Sequence, residues 1–169
     1  MSSVPQHVSV LITDMEGSTA FTDARGDEAA IELIREHEQI VRRVIRAYDA
    51  REIKSMGDGF MIAFASPVTG IACALELLGS LRAHNDAHPD RPLNIRMGMN
   101  AGPAIEEGGD LYGTTVNAAA RIAAKARSGQ LLVPDAVRLV AAGDWEFVDR
   151  GLFWLQGAQG AVAVVRSHA

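Results

Sequence analysis

The chain has 169 residues, of which 48% are hydrophobic and 22% charged, as in globular proteins with a full core. Its formal net charge of −5 argues against broad binding to nucleic acids or to anionic membranes. The sequence has no signal-peptide pattern, and no apolar run approaches the roughly 20 residues that span a bilayer. A single cysteine, Cys73, favours a reducing compartment, so we expect one cytoplasmic domain over residues 1–169.

Hydrophobic periodicity predicts alternating strands and helices along the first half of the chain. In order, these are a strand at 8–12, a turn-rich segment at 14–19, a helix at 27–49 and a hairpin with strands at 51–56 and 59–65. Gly57 and Asp58 form the predicted turn of this hairpin.

The second half is predicted to continue with a helix at 68–88, a strand at 93–101, a loop at 102–113 and a helix at 114–127 that Thr114 caps. Three short strands are predicted near 130–133, 145–149 and 161–165. The order βαββαβ, followed by an α/β extension, predicts an α+β fold with a ferredoxin-like core. We expect the helices to cover one sheet face and to leave the other free for a ligand.

Two aspartates, Asp14 and Asp58, each follow or adjoin an apolar strand. Either one alone is more typical of a turn residue or a helix cap. In a βαββ unit, however, the end of the first strand lies beside the turn of the hairpin, and two carboxylates there repel each other unless cations neutralise them. Hard oxygen ligands suit Mg²⁺ or Mn²⁺, and a pair of such ions can promote phosphoryl transfer.

The segment Glu16-Gly17-Ser18-Thr19 precedes a helical region. Backbone N–H groups in such a turn can hold phosphate oxygens, which makes Gly17, Ser18 and Thr19 candidate substrate contacts. The segment is not a P-loop, because the lysine of that motif is missing.

Asn117 and Arg121 lie on one face of a predicted helix that is rich in alanine. Small neighbours allow a partner to approach closely. One interpretation is a structural pair at a contact between subunits. The other is an anion clamp in which the arginine stabilises charge on a reacting phosphate.

Lys54 and Asp110 supply one hydrogen-bond donor and one acceptor. Together they match the edge of adenine and mismatch that of guanine, although each alone is typical of a solvated side chain. Arg96 alternates away from its apolar neighbours Ile95 and Met97, and is either a phosphate contact or a surface arginine.

These motifs together resemble the catalytic domain of class III nucleotidyl cyclases, and are most similar to the compact bacterial adenylyl cyclases of mycobacterial type. The resemblance covers about residues 7–165. It is carried by Thr13-Asp14-Met15-Glu16-Gly17-Ser18-Thr19, Lys54-x-x-Gly57-Asp58-Gly59 and Asp110-x-x-Gly113-x-x-Val116-Asn117-x-x-x-Arg121.

The resemblance implies that Asp14 and Asp58 bind two Mg²⁺ or Mn²⁺ ions per active site, with the backbone carbonyl of Met15 contacting one of them. It implies that Arg96 contacts the outer phosphates of the substrate. Many members carry a lysine near the carboxyl terminus that reaches the triphosphate; Gln156 stands at the matching position here, which predicts weaker nucleotide affinity.

The resemblance also implies that Lys54 and Asp110 select adenine, that Asn117 orients the ribose and that Arg121 stabilises the reacting phosphate. In this family the sites lie at the seam of a head-to-tail dimer. One copy supplies the metal ligands and Arg96, and its partner supplies the other four side chains. A single chain with both sets implies a homodimer.

The implied activity is that of an adenylate cyclase, which converts ATP to 3′,5′-cyclic AMP and pyrophosphate for signalling. Two alternatives remain open. One is a guanylate cyclase, and the other is a catalytically silent nucleotide-sensing dimer module. A regulatory domain or protein outside this chain is also expected, since many members carry one.

Overall fold

The structure is a computed structural model that describes residues 4–155 and 159–166. Its strands are β1 (Gln6–Glu16), β2 (Ala50–Ser55), β3 (Gly59–Phe64), β4 (Asn94–Glu107), β5 (Asp110–Tyr112), β6 (Leu131–Pro134), β7 (Glu146–Trp154) and β8 (Gln159–Arg166). Its helices are α1 (Ser18–Arg25), α2 (Asp27–Ile45), α3 (Pro67–Ala87), α4 (Thr114–Lys125) and α5 (Asp135–Val140). Within the described residues, no helix is long and apolar enough to cross a membrane.

One sheet joins these strands in the order β2-β3-β1-β4-β6-β8-β7, and β5 pairs with β4 at its side. Strand β1 lies between two antiparallel neighbours, β3 and β4. This double pairing places Asp14 opposite Gly59 on one side and opposite Arg96 on the other. The predicted α+β class is confirmed.

Helices α2 and α3 cover one face of the sheet. The apolar side chains of this face alternate along the strands, as expected for a half-buried sheet. They form the main core with residues of both helices, among them Leu11, Phe60, Ile62, Met97 and Met99. Helix α3 begins at Pro67, directly after Ser66, whose hydroxyl accepts a 3.2 Å hydrogen bond from the N–H of Val68.

Helix α4 packs on the opposite face, which corrects the expectation that this face is free. Ala119 and Ala123 of α4 contact Val10, Ile12 and Met61 in a second core cluster. The approach is close because β4 carries Gly98 at the contact. A Cβ atom there would lie 2.2 Å from the backbone nitrogen of Ala123.

The predicted loop at 102–113 is also wrong, because β4 continues to Glu107 and returns as β5. Gly108 and Gly109 have φ values of 61° and 81°, so they form a tight turn between the two strands. The structure also differs from the turn-rich segment that was predicted at 14–19. β1 continues to Glu16, since β4 pairs with it throughout, and α1 follows at Ser18.

Thr114 is the first residue of α4 rather than its cap. Gly113 precedes the helix with φ 123°, and no side chain of the described residues caps the first turn. The helix is held instead by its packing on the sheet, including a 2.7 Å hydrogen bond from the buried hydroxyl of Thr115 to the carbonyl of Pro103.

Candidate active site

Asp14 and Asp58 line one cleft between the sheet and α4. The cleft has a volume of about 280 Å³, and Arg96 and Gly59 also line it. Its wall on the helix side consists of the small residues Ala120, Ala123 and Ala124. The predicted proximity of the two carboxylates therefore agrees with the geometry of β1 and the β2–β3 turn.

Backbone contacts fix the two aspartate segments against each other. The N–H of Met15 donates a 2.8 Å hydrogen bond to the carbonyl of Asp58. The fully buried hydroxyl of Thr13 accepts a 3.0 Å hydrogen bond from the N–H of Phe60. Gly59 is required between them, because a Cβ atom there would lie 2.3 Å from the carbonyl oxygen of Thr13.

Arg96 binds the carboxylate of Asp14. Its Nε and Nη2 atoms lie 3.1 and 2.8 Å from Oδ2 of Asp14. Its third nitrogen, Nη1, donates a 3.2 Å hydrogen bond to the carbonyl of Ala124 in α4. The guanidinium therefore connects β1, β4 and the end of α4.

The segment Gly17-Ser18-Thr19 lies at the start of α1, next to Asp58. Gly17 has φ 78°, a conformation that favours glycine, and the helix begins directly after it. The hydroxyl of Ser18 donates a 3.3 Å hydrogen bond to Oδ2 of Asp58. The positive end of the α1 dipole therefore lies beside the carboxylate of Asp58, where phosphate oxygens are also favoured.

The donor set fits a hard divalent cation. Among the described residues, no group of three or more His, Cys, Asp and Glu side chains forms a metal cage. Mg²⁺ needs no such cage, because it is commonly held by one or two carboxylates together with substrate phosphates. The side chain of Met15 is buried in the core, so this residue can offer only its backbone to the cleft.

Lys54 and Asp110 form an ion pair between β2 and β5. The Nζ atom of Lys54 lies 2.8 Å from Oδ2 of Asp110, and the N–H of Leu111 donates a 2.7 Å hydrogen bond to Oδ1. The hydrogen bond from Lys54 is the main cause that lowers the pKa of Asp110 below its usual range. The pair is partly open to solvent, so it can present a donor and an acceptor to a ligand.

Asn117 and Arg121 lie on the exposed side of α4. Arg121 donates a hydrogen bond from Nη1 to the carbonyl of Leu155. It lines a different cleft, of about 450 Å³, with Trp154 and neighbouring residues. Of the described residues that line the aspartate cleft, none belongs to the Lys54–Asp110 pair or is Asn117 or Arg121.

One chain therefore brings together Asp14, Asp58, Arg96 and Ser18, and separately Lys54 and Asp110. Gln156 lies outside the described residues, so its predicted effect on affinity stays a prediction.

Sequence reasoning missed Thr13 as a link between the aspartate segments. Its signal was a hydroxyl at an inward position of an apolar strand, where a buried polar group needs a partner.

Comparison with known proteins decides the family. Residues 2–165 match the family described as "Adenylate and Guanylate cyclase catalytic domain". This chain belongs to that family. The family covers cyclases of both kinds, so membership identifies a nucleotidyl cyclase domain and leaves the choice of base open.

The relatives of this cyclase domain include proteins described as a putative adenylate cyclase and as a guanylate cyclase. An uncharacterized protein of Mycobacterium bovis is 30% identical over 92% of this chain and 39% of its own length. The receptor-type guanylate cyclase Gyc76C of Drosophila melanogaster is 25% identical over 89% of this chain and 11% of its own length. The chain therefore spans well under half the length of each of these two relatives.

Solved cyclase structures have the same fold. The adenylyl cyclase CyaB from P. aeruginosa superposes with a TM-score of 0.91 at 17% identity, over 100% of this chain and 98% of that chain. At this identity the likeness concerns the fold alone. The ferredoxin-like core with its carboxyl-terminal extension is therefore confirmed as a class III cyclase fold.

Proposed function

We propose that this domain is an adenylate cyclase, which converts ATP to 3′,5′-cyclic AMP and pyrophosphate at sites shared by two copies of the chain. Family membership supports nucleotidyl cyclase chemistry. The ion pair between Lys54 and Asp110 supports the choice of ATP, because it holds one donor and one acceptor 2.8 Å apart between β2 and β5.

The pair matches adenine and opposes guanine. Lysine can only donate and an ionised aspartate can only accept, so Lys54 suits N1 of adenine and Asp110 suits its N6 amino group. Guanine presents an acceptor at O6 and a donor at N1, which reverses the order. A site that leaves polar groups unpaired against the wrong base discriminates strongly.

Asp14, Asp58 and the backbone carbonyl of Met15 are the groups that would hold two Mg²⁺ or Mn²⁺ ions. When bound, such ions lower the pKa of an attacking hydroxyl and neutralise phosphate charge. Arg96 and the N–H groups at Gly17, Ser18 and Thr19 would bind the outer phosphates beside them. In this arrangement, the positive end of the α1 dipole and the positive charge of Arg96 would both stabilise the bound triphosphate.

In the proposed reaction, the 3′-hydroxyl of the ribose gives its proton to water, to a substrate oxygen or to an aspartate, and its oxygen attacks the α-phosphorus. The bond from that phosphorus to the bridging oxygen breaks, and pyrophosphate leaves. Asn117 would orient the ribose so that this oxygen is in line. Arg121 would stabilise the added charge on the α-phosphate, a task for which its fixed planar donors are suited.

A second copy of the chain would supply Asn117, Arg121, Lys54 and Asp110 to the aspartate cleft. The exposed side of α4 supports this, because Asn117 and Arg121 project from it beside the small residues Ala120 and Ala124. A head-to-tail arrangement about a twofold axis would create two equivalent sites. Regulatory input would come from segments or partners outside this chain, and the cytoplasm is the proposed location.

The test is an assay of cyclic nucleotide formation with Mg²⁺ or Mn²⁺, comparing ATP with GTP. We expect cyclic AMP from the wild-type chain and none from Asp14→Ala. Preferential formation of cyclic GMP from GTP would assign the guanylate cyclase alternative. No product from either nucleotide, with nucleotide binding retained, would assign the silent sensing module.

A further inference from the structure

Arg96 forms an ion pair with Asp14, whose carboxylate is a metal ligand in the proposed function. Asp14 and Arg96 stand directly opposite each other in the β1–β4 register. Two of the three guanidinium nitrogens lie within 3.1 Å of the same oxygen, Oδ2 of Asp14. A cation already neutralises this carboxylate, and it occupies one of the two oxygens that could bind a divalent ion.

The third nitrogen of Arg96 is also engaged. Nη1 donates to the carbonyl of Ala124, one residue before the end of α4. The last carbonyls of a helix lack partners within the helix and carry partial negative charge. Arg96 therefore has acceptors on both sides, and an anion that binds this guanidinium competes with both of them.

The charge balance of the cleft gives the direction of the effect. Asp14 and Asp58 contribute two negative charges, and Arg96 contributes one positive charge. An incoming divalent ion meets repulsion from the guanidinium as well as competition for Oδ2. Both effects disappear when a phosphate group binds the guanidinium instead.

We propose that Arg96 holds Asp14 in the nucleotide-free chain and is exchanged for a divalent cation when substrate phosphates arrive. This inference rests on the proposed function, since it assigns the order of events at the same site. Metal binding without nucleotide is then weak, and metal and nucleotide each strengthen the binding of the other through one side chain. Thermodynamic linkage requires that this coupling be reciprocal.

The experiment measures Mn²⁺ binding to the nucleotide-free protein by the electron paramagnetic resonance signal of free Mn²⁺. Arg96→Gln should bind Mn²⁺ more tightly than wild type, with a Kd lower by about tenfold, the size of effect that one adjacent charge has on a carboxylate. Arg96→Lys keeps the charge and should stay within about threefold of wild type, and a tenfold gain in affinity in this variant would contradict the role of the charge.

Two controls locate the effect. Arg25→Gln removes one positive charge from an exposed pair with Asp90, so it reports the effect of net charge alone. Adding Asp14→Asn to Arg96→Gln should abolish the gain in affinity. A Kd for Arg96→Gln equal to or higher than that of Arg25→Gln would overturn the proposal, and so would a gain that survives Asp14→Asn.

The failure of this inference is distinguishable from failure of the proposed function. If the wild-type chain makes cyclic AMP but Arg96→Gln does not tighten Mn²⁺ binding, only the exchange is wrong. If Arg96→Gln tightens binding through Asp14 but the wild type makes no cyclic nucleotide, the exchange stands and the proposed activity is wrong.

Discussion

The hydroxyl of Thr13 accepts a hydrogen bond from the backbone of Phe60 across 3.0 Å, in the interior of the protein. Thr13 directly precedes Asp14, and Phe60 follows Asp58 by two residues. This contact therefore joins the two segments that carry the candidate metal ligands.

Thr13→Val keeps the shape of the side chain and removes the acceptor. The N–H of Phe60 is then left without its partner inside the protein, which should lower the free energy of unfolding by about 1–3 kcal/mol. Urea unfolding measures this change. Thr13→Ser retains the hydroxyl and should lose less stability than the valine variant. A smaller loss in Thr13→Val than in Thr13→Ser would show that the methyl contact contributes more to stability than the hydrogen bond does.

Gly59→Ala should be strongly destabilising. The added Cβ atom would lie 2.3 Å from the backbone oxygen of Thr13, and backbone cannot yield as a flexible side chain does. We expect a loss of about 3 kcal/mol in the free energy of unfolding, together with loss of metal-dependent activity.

Gly79→Ala is the matched control for this substitution. Gly79 lies in α3, and outside that helix no atom of the part of the chain that the structure describes lies within 4 Å of an added Cβ. Alanine favours the helix, so this variant should gain about 1 kcal/mol. Similar effects of the two substitutions in urea unfolding would contradict the close approach of β1 and β3 at Gly59.

His37 makes the stability of the protein depend on pH. Burial lowers the pKa of this histidine from 6.5 to about 4, although Glu38 and Asp58 act in the opposite direction. Among the described residues, neither ring nitrogen has a hydrogen-bond partner. The unfolded chain therefore binds a proton below pH 6.5 that the folded chain does not, and the free energy of unfolding falls as the pH decreases.

The cost attributable to His37 should reach about 2 kcal/mol at pH 5. His37→Leu should remove this component while acid effects from carboxylates remain. The check is the difference in unfolding free energy between wild type and variant at pH 7.5 and pH 5. A difference that does not change between the two pH values would contradict a neutral buried imidazole.

Lys54→Glu should shift the base preference from ATP toward GTP. The new carboxylate accepts where lysine donated, which suits N1–H of guanine. Because Asp110 lies within hydrogen-bond distance and would repel a second carboxylate, we expect a loss of about 100-fold or more in kcat/KM for ATP. Lys54→Met removes the donor without adding an acceptor, and should lower ATP turnover without any gain for GTP. Unchanged ATP selectivity in Lys54→Glu would refute base reading by this residue.

Much of the fold was predictable because the periodicity and turn residues of short segments specify their strands and helices locally. The alternating strand before Asp14 and the hairpin around Asp58 are local features, and each has its own turn or periodicity. The grouping of the two aspartates followed from the motif spacing. The β4–β5 hairpin was missed because its Gly108-Gly109 turn lies within an acidic segment that also fits a loop.

Other features depend on distant parts of the chain. The pair between Asp14 and Arg96 requires the register of β1 against β4, which no short stretch of sequence fixes. The packing of α4 on the sheet depends on Gly98, because Ala123 lies too close to it for any side chain. The sequence alone does not show that these two residues are in contact. Such contacts become visible only when the tertiary structure is known.

The most direct test of the shared site is complementation between two inactive variants. Asp58→Ala removes a metal ligand, and Asn117→Ala removes the residue that would orient the ribose; each variant alone should form no cyclic AMP. In a mixed dimer, one of the two sites keeps Asp58 from one copy and Asn117 from the other. Random pairing in equal amounts predicts about a quarter of wild-type cyclic AMP formation. No recovery of activity, with mixed dimers demonstrated by differently tagged chains, would contradict a site built from two copies.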